Sequence, residues 1–423
     1  MRTFKDIKLL AISFAYPPLV YARSIQVARL LRHLQVSTIV VCASEEKTPK
    51  EPIIESDTGI STVKCLRVPF HSSDRRRIAG IISNSLRVPL WNKTPDIYSS
   101  WRTSVLKNFG NFARMNHYAS DILVTFGHPM SDHLIGLEIK KLYGMPWIAH
   151  FSDPWVDNPL NKLDPLTKAM NLFLERKVLQ AAERLIFTSQ ETVDLVMAKY
   201  PKEWRAKVRV LPHAFDSQLY PKPSRDPHSK IVIRYLGNLY GHRTSKPLFK
   251  ALRYILSSDP PSLADVCFEI IGYRPRWSSK LDSLNGLPET LVITKPPVNY
   301  LESLSLMASA DGLLVIDAPA EKSVFLPSKL IDYIGASRPI LGLTPPGAAA
   351  TLIAKLGGWV ADPSNDTALI ETLQSFITFL RWHRDYEAYP WGIPDIRANY
   401  EVSSVAKIFE GMLHELIQEF KMN

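Results

Sequence analysis

The stretch "VFLPSKLIDYIGASRPILGL" (324–343) decides the reading of this chain. It follows "DGLLVID" (311–317), an apolar run with strand character, and opens with a Pro-broken loop. Helical spacing comes next, and the stretch closes on a second apolar run, "ILGL" (340–343). Strand, helix and strand in such close succession make a parallel crossover unit. Three charged residues interrupt it: Lys329, Asp332 and Arg338. Lys329 and Asp332 are three residues apart, so they share a helix face. Taken alone the pair reads as a surface ion pair. At the start of a helix that follows a strand, it also reads as a grip on a ligand.

The same alternation extends in both directions. Towards the N-terminus, short β-branched runs fall at Lys8–Ser13, Ser37–Ala43, Val63–Val68, Asp121–Thr125, Trp147–Phe151, Arg184–Ser189 and Val208–Pro212. Helical spacing separates most of them, as at 25–34 (Ile25, Ala28, Leu31, Leu34) and 167–182. After the polar stretch "SRDPHSK" (224–230) the pattern restarts at Ile231–Leu236 and continues at Val266–Ile271, Thr290–Thr294, Gly312–Ile316, Ile340–Leu343 and Trp359–Ala361. Such runs between helices predict parallel sheets covered on both faces. At 423 residues the chain exceeds one ordinary core, and two doubly wound domains in tandem account for it. The expected boundaries are 1–223, 224–385 and a returning C-terminal segment, 386–423. That last segment has a break, "YPWGIPDI", and then an apolar stripe from Val405 through Phe409, Leu413 and Leu416 to Phe420, which predicts a helix packing back onto the first domain.

Composition narrows the function classes. Cys42, Cys65 and Cys267 are far apart and form neither a disulfide framework nor a metal motif, which fits a reducing, cytoplasmic setting. The formal charge is +10. Between Asp74 and Arg114, eight cations (Arg75, Arg76, Arg77, Arg87, Lys93, Arg102, Lys107, Arg114) face two acids, Asp74 and Asp96. Ile78, Ile81, Ile82, Leu86 and Trp91 interleave them, a pattern that suits an anionic membrane surface and a peripheral place on its inner face, or simply a solvated basic helix pair. No nucleic-acid-binding signature accompanies the charge.

Several chemistries have no motif here. There is no G-x-x-x-x-G-K-[ST], no G-x-S-x-G, no D-x-D, and the first strand's loop, "SFAYPPLVYARS", has no glycine for a dinucleotide. The histidines lack ligand spacing, so no metal and no cofactor is expected. The restarted half does offer an anion site. In "IRYLGNLYGHRTSKPL", Gly237 and Gly241 sit at a strand-to-helix turn, with Arg243 expected at the helix start. Backbone N–H groups and a guanidinium there suit a diphosphate, with a tight turn and a surface arginine as the plain alternative. Lys329 lies in the first turn of its helix, a place where the dipole disfavours a cation unless an anion is near. Asp332 could accept from ribose hydroxyls. Together these residues predict a nucleoside-diphosphate site.

A set of motifs supports that reading. "ISFAYPPLVYARSIQVARLLRHL", "PDIYSSW", "DILVTFGHPMSDHLIGLEIKKLYGMPWIAHFSDPW", "ERKVLQAAERLIFTSQETVDLV", "IRYLGNLYGHR" and "FLPSKLIDYIGASRPI" occur in an order that resembles the retaining glycosyltransferases of family 4, which have the GT-B fold. The resemblance spans most of the chain. It implies an α/β GT-B architecture of two Rossmann-like domains facing a central cleft, with donor sugar nucleotide in the second and acceptor mainly in the first. It also implies transfer from a nucleotide-sugar donor to a hydroxyl of a glycan or lipid-linked glycan, in surface polysaccharide or lipopolysaccharide synthesis, without a metal.

By position, Asp332 resembles the second acid of the family's E-x7-E motif, and Arg243 the basic residue at the diphosphate, with Lys329 as its partner. Gly237, Asn238, Gly241, Gly272, Tyr273, Phe325, Leu326 and Ser328 complete the implied donor site. Asp153 matches the acceptor-side carboxylate or its neighbour, beside His150 and Ser152, with Tyr16 and Arg23 on the same side. The chain departs from the pattern at three points. Val324 replaces the first motif acid, leaving the sugar hydroxyls to Glu321 or to backbone groups of Phe325 and Leu326. Leu19 and Val20 stand where glycines are common, and Asn238 stands where an arginine often does. A nucleotide-sugar epimerase and a non-catalytic binding module of the same fold remain as rival readings.

Overall fold

A computed structural model describes residues 7–19, 21–44, 53–56, 63–69, 94–96, 98–115, 119–161, 163–222, 230–239, 243–272, 284, 286–385 and 390–422. The chain forms two compact units, Met1–His213 with Val402–Asn423, and Ala214–Glu401.

The first unit holds β1 (Lys8–Ile12), β2 (Ser37–Ser44), β3 (Ile53–Ser56), β4 (Val63–Pro69), β5 (Ile122–Phe126), β6 (Trp147–Phe151), β7 (Arg184–Phe187) and β8 (Val208–Val210). They form one sheet in the order β3-β4-β2-β1-β5-β6-β7-β8. Every pairing is parallel except β3 with β4. β5 and β6 are buried at every residue, as a sheet covered on both faces requires. The antiparallel edge strand Ile53–Ser56 has no counterpart in the sequence reading. The expected strand 184–189 stops at Phe187, because the Ser189 side chain accepts from the Thr192 N–H and starts a helix.

Residues 74–93 of the basic segment lie outside the described residues. In the described part, helix Ser99–Met115 turns Trp101, Val105 and Phe109 into the core, so that apolar face is consumed by packing. The C-terminal helix Val402–Met422 packs on helix Ala22–Arg32 within this unit. It buries Val405, Phe409, Leu413 and Leu416 and leaves Ile408 and Phe420 exposed. Arg184 and Glu419 tie its far end with an ion pair at 2.5 Å.

The second unit holds β9 (Ile231–Leu236), β10 (Val266–Ile271), β11 (Val292–Lys295), β12 (Gly312–Ile316), β13 (Ile340–Leu343) and β14 (Trp359–Ala361). Their order is β11-β10-β9-β12-β13-β14, all parallel. Residues 214–222 and 390–401 make their contacts in this unit. The Phe215 N–H donates to the Tyr400 carbonyl at 2.9 Å, and the Tyr220 hydroxyl to the Asp332 carbonyl at 2.9 Å.

In each sheet the winding reverses beside the first strand: β1 has β2 on one side and β5 on the other, and β9 has β10 and β12. A reversal of this kind leaves a crevice at the carboxyl ends of the strands, the usual ligand place of open α/β sheets.

Candidate functional site

At the reversal point of the second unit, β9 is followed directly by Gly237 (φ 135°) and β10 by Gly272 (φ 104°). The Gly237 N–H donates to the Ile271 carbonyl at 2.9 Å. A Cβ on Gly272 would lie 2.7 Å from the Gly237 carbonyl oxygen, and one on Gly237 would lie 2.8 Å from Lys329 Nζ. With positive φ at both positions, these contacts favour glycine and let the two turns and the Lys329 side chain pack closely together.

Lys329 is in the first turn of helix Ser328–Ala336, as the sequence predicts. Its ammonium donates to the Tyr235 hydroxyl at 2.7 Å and lies 3.9 Å from that ring's centroid. Among the described residues it forms no ion pair, with Asp332 or any other acid. The Asp332 carboxylate instead accepts from the Tyr300 hydroxyl at 3.1 Å. Burial pushes the Lys329 pKa well below the ordinary lysine value; nearby Arg243 lowers it further and Asp317 opposes the fall.

Arg243 does not start the helix. It precedes Lys246–Ser258, whose cap is Ser245, so the helix end itself gives it no special place. The buried Arg243 guanidinium instead donates from Nη2 to Asp317 Oδ1 at 2.9 Å. Asp317 Oδ1 also accepts from the Ala318 N–H at 2.8 Å, and Oδ2 from the Ser323 hydroxyl at 2.9 Å. A Cβ on Gly347 (φ 143°) would lie 1.8 Å from the Ser323 carbonyl oxygen, so only glycine lets this loop close. No motif marks Asp317 as a site residue. Its signal was present: it is the first residue after an apolar strand, at the strand's carboxyl end.

The remaining donor-side candidates divide. Phe325, Leu326 and Ser328 are half-buried in the same loop and helix start, Val324 is buried, and Glu321 is exposed. Asn238 is exposed, and its carbonyl accepts from the Tyr235 hydroxyl at 3.2 Å. Gly241 and Tyr273 lie outside the described residues.

The reversal point of the first unit carries a pocket of about 430 Å³. Residues after β1 (Phe14, Arg23), β5 (His128, Met130) and β6 (Trp155) line it together with Tyr98. Arg23 is its buried cation. Its Nε donates to the Gly127 carbonyl at 2.9 Å, and its Nη2 lies 3.1 Å from His150 Nδ1. Burial lowers its pKa to about 10, against the support of Asp153 and Asp132. Burial and Arg23 hold His150 well below the ordinary imidazole value, so it is neutral and suited to accept from the guanidinium.

Asp153 is reached by His128 Nε2 at 3.5 Å and by the Ser152 hydroxyl at 3.4 Å. His128 holds φ 77°, a strained place for a residue other than glycine, of the sort that collects at functional sites. Tyr16 is wholly buried and does not line the pocket.

Two acids that no motif singles out as site residues, Asp96 and Asp132, brace this pocket. Asp96 accepts from the Ser131 N–H at 2.8 Å and its hydroxyl at 2.6 Å. Asp132 accepts from the Phe14 N–H at 2.8 Å and Trp101 Nε1 at 2.7 Å. Burial pushes the Asp132 pKa up to about 8 in spite of these donors. Among the described residues no cluster of His, Cys, Asp or Glu could hold a metal ion, and no helix is long and apolar enough to cross a membrane.

No family model matches the chain, and no curated protein matches it. Solved structures do share its fold. Sucrose-phosphate synthase from Thermosynechococcus elongatus aligns with TM-score 0.70 at 13% identity, over 98% of this chain and 100% of its own. An E. coli trehalose-6-phosphate protein bound with UDP-2-fluoro glucose aligns with TM-score 0.64 at 12% identity, over 96% and 98%. The lipopolysaccharide outer core galactosyltransferase WaaB aligns with TM-score 0.61 at 13% identity, over 97% and 99%. At such identities the likeness concerns the fold, and the α/β architecture of paired parallel sheets expected from the sequence is the one these glycosyltransferases have.

Proposed function

We propose that the chain is a retaining glycosyltransferase, related to family 4, that moves a sugar from a nucleoside-diphosphate donor to a hydroxyl. The observation that carries this reading is the second unit's reversal point. Two side-chain-free turns, Gly237 and Gly272, meet there with the Lys329 ammonium and the Arg243 guanidinium. Backbone N–H groups and two cations suit a diphosphate, and Asp332 suits the ribose of the same ligand. The fold-mate bound with UDP-2-fluoro glucose supports the donor class.

In this reading the departing diphosphate takes the acceptor proton on the same face of the sugar. Arg243 and Lys329 stabilise the charge that builds on the leaving oxygen, so the chemistry calls on no metal or other cofactor. The acceptor belongs to the first unit's pocket, where the aromatic wall of Phe14, Tyr98 and Trp155 suits a sugar or lipid-linked sugar and Arg23 an anionic group. A role in surface polysaccharide synthesis, at the cytoplasmic face of a membrane, follows if the acceptor is lipid-linked. WaaB supplies the analogy, and the cationic segment 74–114 supplies the charge.

Thermal unfolding in the presence of UDP, GDP and dTDP tests the donor site. A ligand at a hundred times its Kd stabilises by about 2.7 kcal/mol, which raises Tm by several degrees. At least one nucleotide is expected to do so, and no shift with any of them sinks the reading. Interconversion of UDP-sugars in the absence of acceptor would point to an epimerase instead.

A further inference from the structure

We infer that Asp317 is an internal competitor for Arg243: its carboxylate contends with the phosphate oxygens of donor and product for the guanidinium, and so sets how tightly the diphosphate is held. This rests on the donor-site reading above. Arg243 and Asp317 are both buried, and the contact runs through one guanidinium nitrogen, Nη2, at 2.9 Å. Charge-assisted bonds of this kind are what a guanidinium also offers a phosphate, so the two anions draw on the same donors.

Asp317 is itself held in place. The Ala318 N–H and the Ser323 hydroxyl fix its two oxygens, and the Ser323 backbone is locked against Gly347. Its carboxylate therefore cannot swing away to make room, and it keeps a negative charge beside any diphosphate that Arg243 grips. A transferase gains from such a charge: binding shared by substrate and product slows release, whereas a weakened ground-state grip lets the nucleotide go. The carboxylate also aims the guanidinium, so it both positions Arg243 and limits its affinity.

Asp317→Asn separates charge from shape. The amide oxygen still accepts from Arg243 and from the Ala318 N–H, and the amide nitrogen donates to Ser323, so only the negative charge is lost. Calorimetric titration of the full chain with UDP, GDP and dTDP, on the acid side of neutrality, reads the outcome. At that pH the loss of Asp317's support for the Lys329 ammonium matters least. The nucleotide that binds the unaltered chain is expected to bind D317N about tenfold more tightly, the scale of one unit charge removed at several Å.

With that nucleotide's sugar as donor, KM and the product-inhibition constant fall in step. Unchanged or weaker binding by D317N overturns the inference and leaves Asp317 a structural anchor, while the donor site stands. Absence of binding by the unaltered chain overturns both. If D317N does not fold, Asp317→Ser is smaller and equally uncharged, and it carries the same expectation.

Discussion

The two reversal points occupy the same place in two sheets of one design, yet they treat their cations differently. In the first unit, Arg23 rests on neutral partners, the Gly127 carbonyl and the His150 imidazole, with the acids Asp153 and Asp132 acting from beyond contact. In the second, Arg243 has a carboxylate in direct contact, while the Lys329 ammonium, among the described residues, donates to a phenol and pairs with no acid. A buried charge is costly unless compensated, so the partner a cation has says what it is kept for. The first arrangement makes a firm cationic wall for a mostly apolar pocket. The second shares one cation with a carboxylate and leaves the other, whose pKa burial lowers, on a phenol, the arrangement from which the diphosphate grip is proposed.

The comparison breaks most sharply on the second unit's cations. Arg243→Ala and Lys329→Ala should each lower kcat by about 10²–10³, the usual loss when one stabilising donor of a leaving group is removed. Normal unfolding curves would show the fold intact, and unchanged rates in both variants would equate the two reversal points.

In the first unit a smaller effect on stability is expected. Asp132→Asn puts an amide nitrogen against either the Phe14 N–H or Trp101 Nε1, at a cost of about 1–3 kcal/mol in chemical denaturation. It should also change the pH profile. Because burial raises the Asp132 pKa to about 8, the folded state holds this proton more tightly than the unfolded state does. Stability therefore falls as pH rises from the ordinary carboxylate range through about 8. The variant should lose that slope, and a slope that persists would assign it to other groups.

The smallest expected effect sharpens the division of labour within the second unit. Asp332→Ala should weaken donor binding about threefold to tenfold, the worth of one or two hydrogen bonds to sugar hydroxyls, with kcat nearly unchanged. A fall in kcat as large as that of Arg243→Ala would place Asp332 with the leaving group instead.

Much of the architecture was legible because it is written locally. Each β-branched run between helical stretches became a parallel strand, and the tail's stripe became the helix Val402–Met422. The short edge strand Ile53–Ser56 was not legible, since four residues of one edge carry too little pattern. In the candidate site, Lys329 was placed correctly because a helix start is a local feature. Its partner was not: sharing a helix face with Asp332 suggested a pair, whereas one side chain goes to Tyr235 and the other to Tyr300. Arg23, which the motifs put on the acceptor side, lines the first unit's pocket, whereas nothing local in the sequence points to the contacts of the acids that brace it, Asp96 and Asp132.

Sequence alone determined the alternation of strands and helices, the restart after residue 230, and the glycines and cations that could meet an anion. Those properties depend on residues within a turn or two of one another, where side-chain period and backbone freedom act. Only the tertiary structure decided which polar groups meet. Arg243 and Asp317 are 74 residues apart, and Phe14 and Asp132 are 118 apart. No local period encodes such a pairing; it follows from the order in which strands join the sheet, which brings their carboxyl ends, and the residues just beyond them, side by side.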